Sequence, residues 1–439
     1  MKTFAAIISL QMKTIDDIRT LLIEQREEFL KKDLGVERTK LQDIGNYIHT
    51  PHTVIISGLR RAGKSTLLAQ IARKYYPKND FFFVNFEDER FLAFNATEFT
   101  KLHELLIELF GNQKVLMFDE IQNIAGWERF VRRMEDSGYK FYITGSNASL
   151  LSSELGTRLT GRYLPVDLTP FSFEEFLIFN GIQIPNTKFF TTVQRGEAKK
   201  VFSEYLQKGG IPDALKYPDI DWHKTLYDDI LYRDVATRYK ITDVKALKEL
   251  SFYLLSNIAS LVSYNKLKEL LKLGSVNTVT NYIEYLQTSW LIFAVNRYAF
   301  SVKQQQIANK KIYCIDTGLV KSVAFSFSEN KGKLLEIENL VFLALRSFNE
   351  EIYYYKTEKD TEVDFYLPKK KMLIQVSQSL AQAVVRERET RALLDAMEEL
   401  KENAGLLLTE DEKDTLTFDN KTITAVPIYE WILQLSDVS

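Results

Sequence analysis

The chain has 439 residues, which is too many for a single ordinary core, since domains usually hold about 100 to 200 residues. Hydrophobic residues make up 45% and charged residues 26%, a balance that excludes a disordered chain and a coiled rod. The net charge of -2 excludes a general attraction to nucleic acid, and the lone Cys314 excludes an internal disulfide and a cysteine-rich metal site.

The amino-terminal segment carries a lysine and a short apolar run, as a signal peptide does, but no small-residue cleavage site follows. Met1-Lys2-Thr3 recurs at Met12-Lys13-Thr14, so we expect residues 1–11 to be a poorly ordered extension. No uncharged apolar run is long enough to span a bilayer. These features predict a cytoplasmic protein without a membrane partner.

Residues 1–48 are predicted to form amino-terminal helices, because apolar positions recur at helical spacing from residue 15 onward. In residues 49–170, short apolar runs alternate with helical segments. The runs lie at residues 54–56, 81–86, 115–118, 141–144 and 163–168. This alternation predicts an α/β fold with a parallel sheet that is covered on both faces.

The rest of the chain divides into three predicted parts. Residues 171–241 are mostly helical apart from a Gly-Gly-Ile-Pro break, and we interpret them as a helical lid. Residues 242–310 contain three helical stretches followed by an apolar strand, which is the order of a winged helix. Residues 311–439 return to strands and helices and predict a further α/β domain.

A glycine-rich loop lies between the first predicted strand of the sheet and the helix after it. The loop matches G-x-x-x-x-G-K-[ST] in the context that this motif requires, which argues against a chance glycine-rich turn. Its backbone N–H groups face phosphates, Lys64 is predicted to hold the β- and γ-phosphates of ATP, and Ser65 is predicted to ligate Mg²⁺. The predicted ATP-binding residues are Gly58, Arg60, Arg61, Ala62, Gly63, Lys64, Ser65 and Thr66.

Two carboxylates, Asp119 and Glu120, end the apolar run 115–118. An acidic pair at a strand end is a weak signal alone, but its position about 55 residues after Lys64, with one strand in between, makes it strong. We expect Asp119 to hold Mg²⁺ through water and Glu120 to orient or deprotonate the water that attacks ATP. Lys64 and Glu120 are therefore predicted as catalytic residues.

Three further residues are predicted to act in catalysis. Asn147 ends the next strand and is predicted to sense the γ-phosphate, although a helix N-cap explains the same residue and the two roles are compatible. Arg158 and Arg162 precede the last strand, where an arginine can act as a finger on the nucleotide of a neighbouring subunit. A surface salt bridge is the alternative for either arginine.

With these motifs in order, the chain resembles bacterial and archaeal AAA-type ATPases that carry a C-terminal domain of unknown function with a restriction-endonuclease-like core. The resemblance covers nearly everything after residue 50. Beyond the phosphate loop it rests on the segments at residues 86–90, 118–122, 144–147, 161–162, 170–176, 209–212 and 311–319.

The resemblance implies ATP binding, ATP hydrolysis and assembly into a homo-oligomer through the ATPase domain. In related signalling ATPases a Gly-x-Pro of the lid touches the nucleotide, which makes Pro212 of Gly210-Ile211-Pro212 a further ATP contact. A simple helix break is an equal alternative for this motif.

The helical segment that begins at Val276 has the position of a recognition helix in the winged-helix part. Asn277, Thr278 and Asn281 would face the major groove of DNA. Few lysines flank the segment, and packing or protein binding is the alternative use of such a module.

In the last part, Glu338, Asp364, Gln375 and Ser377 align with the core of a restriction-type nuclease. Such a centre needs two or three carboxylates for Mg²⁺ and a lysine, but an amide and a serine stand at two of the four positions. We therefore predict a nuclease-like fold without cleavage. A weak metal site at Glu338 and Asp364 is the alternative to carboxylates that are simply exposed.

The sequence thus predicts a P-loop ATPase that uses ATP and Mg²⁺, with a helical lid, a winged helix and a nuclease-like α/β domain. Hydrolysis to ADP and phosphate would drive conformational change. Two alternatives stay open. One is a slow nucleotide switch that signals to a protein partner, and the other is a DNA-binding or genome-defence ATPase.

Overall fold

Residues 15–148, 159, 161–183, 191–324, 329–347 and 351–435 are described by a computed structural model. The chain divides into two units, Met1–Thr169 and Pro170–Ser439. The extension predicted at residues 1–11 and the predicted finger Arg158 lie outside the described residues.

The first unit alternates helices and strands. Its helices are α1 (Ile15–Lys31), α2 (Lys40–Gly45), α3 (Lys64–Tyr75), α4 (Phe99–Phe110) and α5 (Glu128–Asp136). Its strands are β1 (Thr53–Gly58), β2 (Phe82–Asn85), β3 (Val115–Asp119), β4 (Lys140–Gly145) and β5 (Tyr163–Leu168).

The strands of the first unit form a sheet in the order β2-β3-β4-β1-β5, and every neighbouring pair is parallel. The register places Ile56 beside Thr144 and Asn85 beside Asp119. Because the strands are parallel, the loops that follow β1, β3 and β4 meet at one edge of the sheet. The predicted α/β class is confirmed.

Both faces of this sheet are buried, which explains the continuous apolar runs of its strands. In β1, Ile55 packs into one core, whereas Val54 and Ile56 pack into the other. The side chains of β3 alternate in the same way, with Phe118 on the first face and Met117 on the second. Each of these two strands therefore contributes alternate side chains to two separate cores.

The second unit is larger and mixes helices with strands of both directions. Its helices are α6 (Phe173–Phe179), α7 (Thr192–Lys208), α8 (Pro212–Lys216), α9 (Trp222–Asp229), α10 (Val244–Ser256), α11 (Tyr264–Leu270), α12 (Val276–Thr288), α13 (Val302–Ile307), α14 (Thr317–Val323), α15 (Glu329–Arg346), α16 (Ala383–Leu400) and α17 (Ile428–Leu435). Its strands are β6 (Leu261–Val262), β7 (Ile292–Arg297), β8 (Lys310–Cys314), β9 (Tyr353–Lys356), β10 (Glu362–Leu367), β11 (Met372–Val376), β12 (Ala404–Thr409), β13 (Asp414–Phe418) and β14 (Lys421–Pro427).

The strands of the second unit form one sheet in the order β13-β14-β12-β11-β10-β9-β7-β8-β6. Strand β7 runs antiparallel to β8 and parallel to β9. Strands from both sides of residue 310 therefore share this sheet, and the domain boundary that we predicted there does not separate two sheets.

Helix α12 presents part of the surface that we predicted for DNA. Asn277 and Asn281 are exposed, and so is the acidic Glu284. Thr278 is half-buried, and its backbone N–H donates to the Ser275 hydroxyl that caps the helix. The residue thus contributes to the helix start.

The Gly-Gly-Ile-Pro break is fixed by a carboxylate of the second unit. The Gly210 N–H donates to Oδ2 of Asp316 at 2.6 Å. A Cβ atom on Gly209 would lie 2.2 Å from Oδ1 of the same Asp316, so only glycine fits there. Two of the segments that carry the family resemblance therefore fit against each other.

Within the part of the chain that the structure describes, no helix combines the length and the apolar character needed to cross a membrane.

Candidate nucleotide-binding site

The phosphate loop lies between the end of β1 at Gly58 and the start of α3 at Lys64. Arg61 and Gly63 have φ angles of 64° and 93°, which place the loop backbone in the left-handed region. A Cβ atom on Gly58 would lie 2.0 Å from the carbonyl oxygen of Leu168, so the neighbouring strand requires glycine there. The motif therefore folds as the wrapped loop that its sequence predicts.

Lys64 is buried, and its ammonium lies at the centre of the site. Nζ donates to the carbonyl oxygens of Gly58 at 3.3 Å and Leu59 at 3.2 Å. It also lies 3.3 Å from Oε1 of Glu120. The structure thus brings together two of the five residues that we predicted to be catalytic.

Asp119 ends β3 and is fully enclosed. Its carboxylate accepts hydrogen bonds from the hydroxyls of Thr144 and Ser65. Burial and the neighbouring Glu120 raise its pKa, and they outweigh Ser65, Thr144 and Lys64, which act in the opposite direction. The positive charge around Asp119 therefore does not offset its burial and the neighbouring Glu120, and a bound cation would supply what is missing.

Glu120 has a φ angle of 51°, an unusual conformation for a residue other than glycine. Burial opposes ionisation of its carboxyl group, but Lys64 and hydrogen bonds from Gln122 and Ser146 lower the pKa below its ordinary value. The side chain is therefore held as a carboxylate, the form that can accept a proton from water.

Gln122, Thr144 and Ser146 hold the acidic pair in place, and we did not predict these roles. The Thr144 hydroxyl accepts a hydrogen bond from the Glu120 N–H at 3.0 Å and donates to Asp119. The Ser146 N–H donates to Oε2 of Glu120 at 3.2 Å, and the Gln122 amide donates to the same oxygen. All three residues lie in segments that carry the family resemblance, and that resemblance was the sequence signal that could have pointed to them.

Arg38 is a further residue that the sequence reasoning missed. Its buried guanidinium donates to the carbonyl oxygen of Ala62 at 2.6 Å and to that of Thr169 at 2.7 Å. Its own N–H donates to the side chain of Gln70 on α3 at 3.1 Å. Arg38 therefore ties the phosphate loop to the end of the sheet.

A cavity of about 150 Å³ opens beside Ser65 and Asp119. Gln25 and Glu28 of α1 line its other side. Oxygen ligands and room for water match the preferences of Mg²⁺, which keeps several waters and binds few protein ligands. Within the described residues, no three His, Cys, Asp or Glu side chains are arranged to hold a metal ion by themselves.

The other predicted loop residues lie around this centre. Arg60 pairs with Glu87 at 3.1 Å, which links the loop to the segment after β2. Ala62 is buried, and Thr66 is half-buried in the first turn of α3. Asn147 is buried after β4, where its carbonyl oxygen accepts a hydrogen bond from the Ser57 hydroxyl at 3.0 Å.

Arg162 lies away from this centre. Its carbonyl oxygen accepts a hydrogen bond from the N–H of Thr53, the first residue of β1, whereas the phosphate loop follows the last residue of that strand. Its exposed guanidinium forms an ion pair with Asp136. Arg162 therefore cannot meet the phosphate loop of its own chain. Pro212 begins α8 in the second unit, and its contact with ATP stays a prediction.

The sheet, the phosphate loop and the acidic pair define a P-loop protein of the AAA type. Residues 50–177 match the family model described as an AAA domain. Residues 199–330 and 331–431 match models described as domains of unknown function, DUF8612 and DUF4143.

The chain belongs to the family of the uncharacterized protein MJ1544 of Methanocaldococcus jannaschii, with which it is 38% identical over 400 residues. The alignment covers 86% of this chain and 88% of the archaeal protein. An uncharacterized protein of Haemophilus influenzae is 28% identical over 408 residues, which are 90% of this chain and 97% of that protein.

Among solved structures, the chain is similar to the Orc1 protein of Aeropyrum pernix, which was solved in complex with DNA. The sequences are 11% identical with a TM-score of 0.32, and the match covers 67% of this chain and 95% of the other. A likeness at this level adds nothing to the functional assignment.

Proposed function

We propose that the protein binds ATP with Mg²⁺ at the phosphate loop and hydrolyses it to ADP and phosphate, and that this drives a conformational change. The observation that carries the proposal is the position of Glu120. Its carboxylate lies 3.3 Å from Lys64 and receives hydrogen bonds from the end of β4. A carboxylate fixed beside the phosphate-binding lysine can orient and deprotonate a water molecule.

Each part of the site has one task in this reaction. Backbone N–H groups of the loop bind the phosphates, and Lys64 neutralises charge on the β- and γ-phosphates. Ser65 and Asp119 would hold Mg²⁺, which would supply positive charge to the phosphate oxygens. Asn147 orients the water from the end of β4.

Assembly of several copies completes the site in this proposal. Arg162 lies beside the first residue of β1, at the opposite end of that strand from the phosphate loop. Since it cannot serve its own loop, its use as a finger requires the nucleotide of a neighbouring copy. Mass determination with and without nucleotide tests this point, and Arg162→Ala should lower turnover without lowering ATP affinity.

Steady-state ATP hydrolysis by the wild type and Lys64→Ala tests the main proposal. We expect turnover in the wild type and its loss in the variant, because Lys64 is the cation at the phosphates. Equal rates in the two proteins would refute the assignment. Thermal unfolding of both proteins is the control that separates lost chemistry from lost folding.

The same assay with duplex and single-stranded DNA separates the alternatives. Stimulation by DNA would favour a DNA-dependent ATPase, and its salt dependence would then report phosphate contacts. Negligible turnover with retained nucleotide would favour a signalling switch that acts on a protein partner.

A further inference from the structure

A buried lysine of the second unit stands inside a cage of carboxylates. Lys311, on β8, is 2% exposed. Its Nζ atom lies 2.8 Å from Oε1 of Glu362, 2.9 Å from Oδ1 of Asp364 and 3.0 Å from Oε1 of Glu338. Helix α15 and strand β10 supply these carboxylates, so elements distant in sequence converge on one ammonium group.

Further hydrogen bonds hold the carboxylates toward the ammonium. The Tyr313 hydroxyl donates to Oε1 of Glu338 at 2.7 Å. The Val376 N–H donates to Oδ2 of Asp364 at 2.9 Å, which leaves Oδ1 for the lysine. The cage is therefore fixed by its surroundings as well as by Lys311.

Gln375 belongs to this support. Its amide oxygen accepts a hydrogen bond from the Asp364 N–H at 3.2 Å, and its amide nitrogen donates to Glu389 at 2.8 Å. The amide that we noted in place of a carboxylate thus braces the cage. Ser377 stands where a restriction-type nuclease has its lysine, and the lysine of this cage comes instead from β8.

The acidic groups around Lys311 are those expected at a site for a cation. Burial lowers the pKa of Lys311, but Asp364, Glu338 and Glu362 outweigh it and raise the pKa well above its ordinary value, so the side chain stays an ammonium. One ammonium faces three carboxyl groups and does not offset them fully, since burial together with Asp364 raises the pKa of Glu338 to about 8 in spite of Lys311.

The distances match an ammonium ion better than a metal ion. The carboxylate oxygens lie 2.8 to 3.0 Å from Nζ. Oxygen ligands lie about 2.0–2.1 Å from Mg²⁺ and about 2.3–2.6 Å from Ca²⁺. A divalent ion could occupy this point only without the ammonium and after the carboxylates had moved inward, and Ca²⁺ needs the smaller movement.

We propose that the cage of Glu338, Glu362 and Asp364 is a divalent-cation site that the Lys311 ammonium fills in place of a metal ion. The second unit then folds and acts without a metal ion there. Removal of the ammonium opens the site to an oxygen-ligated divalent cation, to Ca²⁺ or Mn²⁺ before Mg²⁺.

Lys311→Met tests the proposal, because methionine keeps most of the stem and ends before the position of Nζ. Calorimetric titration with CaCl₂ or MnCl₂ in the absence of nucleotide should show one more site per chain in the variant than in the wild type. The variant should unfold at a lower temperature in EDTA and recover part of the loss with Ca²⁺. Lys359→Met, which removes an exposed lysine from its pair with Asp395, is the matched control and should gain no site.

Asp364→Asn in the Lys311→Met background should abolish the added site. The proposal is overturned if the variant gains no site, or if the wild type binds a divalent ion that Asp364→Asn removes. Should Lys311→Met fail to fold, the triple variant Lys311→Met, Glu338→Gln, Asp364→Asn decides, because it leaves only the half-buried Glu362 charged. Recovery of folding supports the proposal, and failure of both variants overturns it, because the ammonium would then do more than balance the cage.

Discussion

Each unit of the protein contains a buried lysine that contacts carboxylates, but the surroundings of the two lysines differ. Lys64 lies 3.3 Å from the carboxylate of Glu120, and a cavity opens beside the neighbouring Ser65 and Asp119. Lys311 lies within 3.0 Å of three carboxylates. Two of the three contacts of Lys64 are hydrogen bonds to carbonyl oxygens of the phosphate loop, whereas all three contacts of Lys311 are with carboxylates. Burial and an ion pair therefore do not by themselves mark a catalytic lysine.

The largest expected effect concerns catalysis in the first unit. Glu120→Gln should lower ATP turnover by about 10²–10⁴-fold, because the amide cannot take a proton from water. ATP binding should persist, since Lys64 and the loop are unchanged. Steady-state phosphate release measures the effect. Glu135→Gln is the control, because Glu135 is a carboxylate of the same unit that accepts hydrogen bonds from Thr53 at the other end of β1. A similar loss in both variants would contradict the role of Glu120.

The second effect concerns stability in the second unit. Lys311→Met should destabilise the protein by about 3–5 kcal/mol, because it leaves buried carboxylates without their counter-ion. Turnover by the protein that remains folded should be that of the wild type, in contrast to Lys64→Ala. Urea unfolding and phosphate release on the same sample compare the two. If Lys311→Met lost ATP turnover but kept the stability of the wild type, Lys311 would act in catalysis and not in stability.

The third effect concerns Arg38, which holds the phosphate loop in position. Arg38→Gln should weaken ATP binding about ten- to a hundredfold, because hydrogen bonds from a charged group to the loop carbonyl are lost. The effect should fall on ATP affinity more than on turnover at saturation. Arg26→Gln is the matched control, since Arg26 also donates to backbone carbonyls, of Phe81 and Asn79, away from the loop. If Arg38→Gln and Arg26→Gln lost equal ATP affinity, the effect of Arg38 would be one on general structure and not on the phosphate loop.

The smallest effect is a pH dependence at the Gly-Gly-Ile-Pro break. Burial lowers the pKa of His223, but Asp316 and Asp221 outweigh it and raise the pKa. The contact of protonated His223 with Asp316 therefore contributes stability that is fully present below about pH 6.5 and is lost as the pH rises through the raised value. We expect about 1 kcal/mol or less. Unfolding midpoints across this range should fall with pH for the wild type, relative to His223→Gln. If the unfolding midpoints of the two proteins changed with pH in the same way, the contact of His223 with Asp316 would make no such contribution to stability.

Local patterns in the sequence predicted the first unit well. The alternation in β1 and β3 reports two buried faces directly, and the phosphate loop needs only a strand, a glycine-rich turn and a helix in succession. Lys64, Ser65, Asp119 and Glu120 could be assigned because their motif positions have fixed places on such a sheet.

Contacts between distant segments were not predictable in this way. Arg38 meets Thr169 across 131 residues, and Lys311 meets Asp364 across 53 residues. No spacing rule connects such pairs, because their proximity follows from the order of strands and helices in space. The same reason explains why we predicted a domain boundary at residue 310 although strands from both sides share one sheet, since β7 and β9 pair across a long connection. A strand that joins a distant partner leaves no local sign of it.

The identity of the nucleotide bound to Glu120→Gln shows whether Glu120 activates the attacking water. Wild type and variant would be mixed with ATP and Mg²⁺, freed of excess nucleotide, denatured and assayed for ATP and ADP. We predict ADP on the wild type and intact ATP on the variant, because Lys64 and the loop still bind ATP while the base is missing. ADP on the variant at the level of the wild type would contradict the claim that Glu120 activates water at this site.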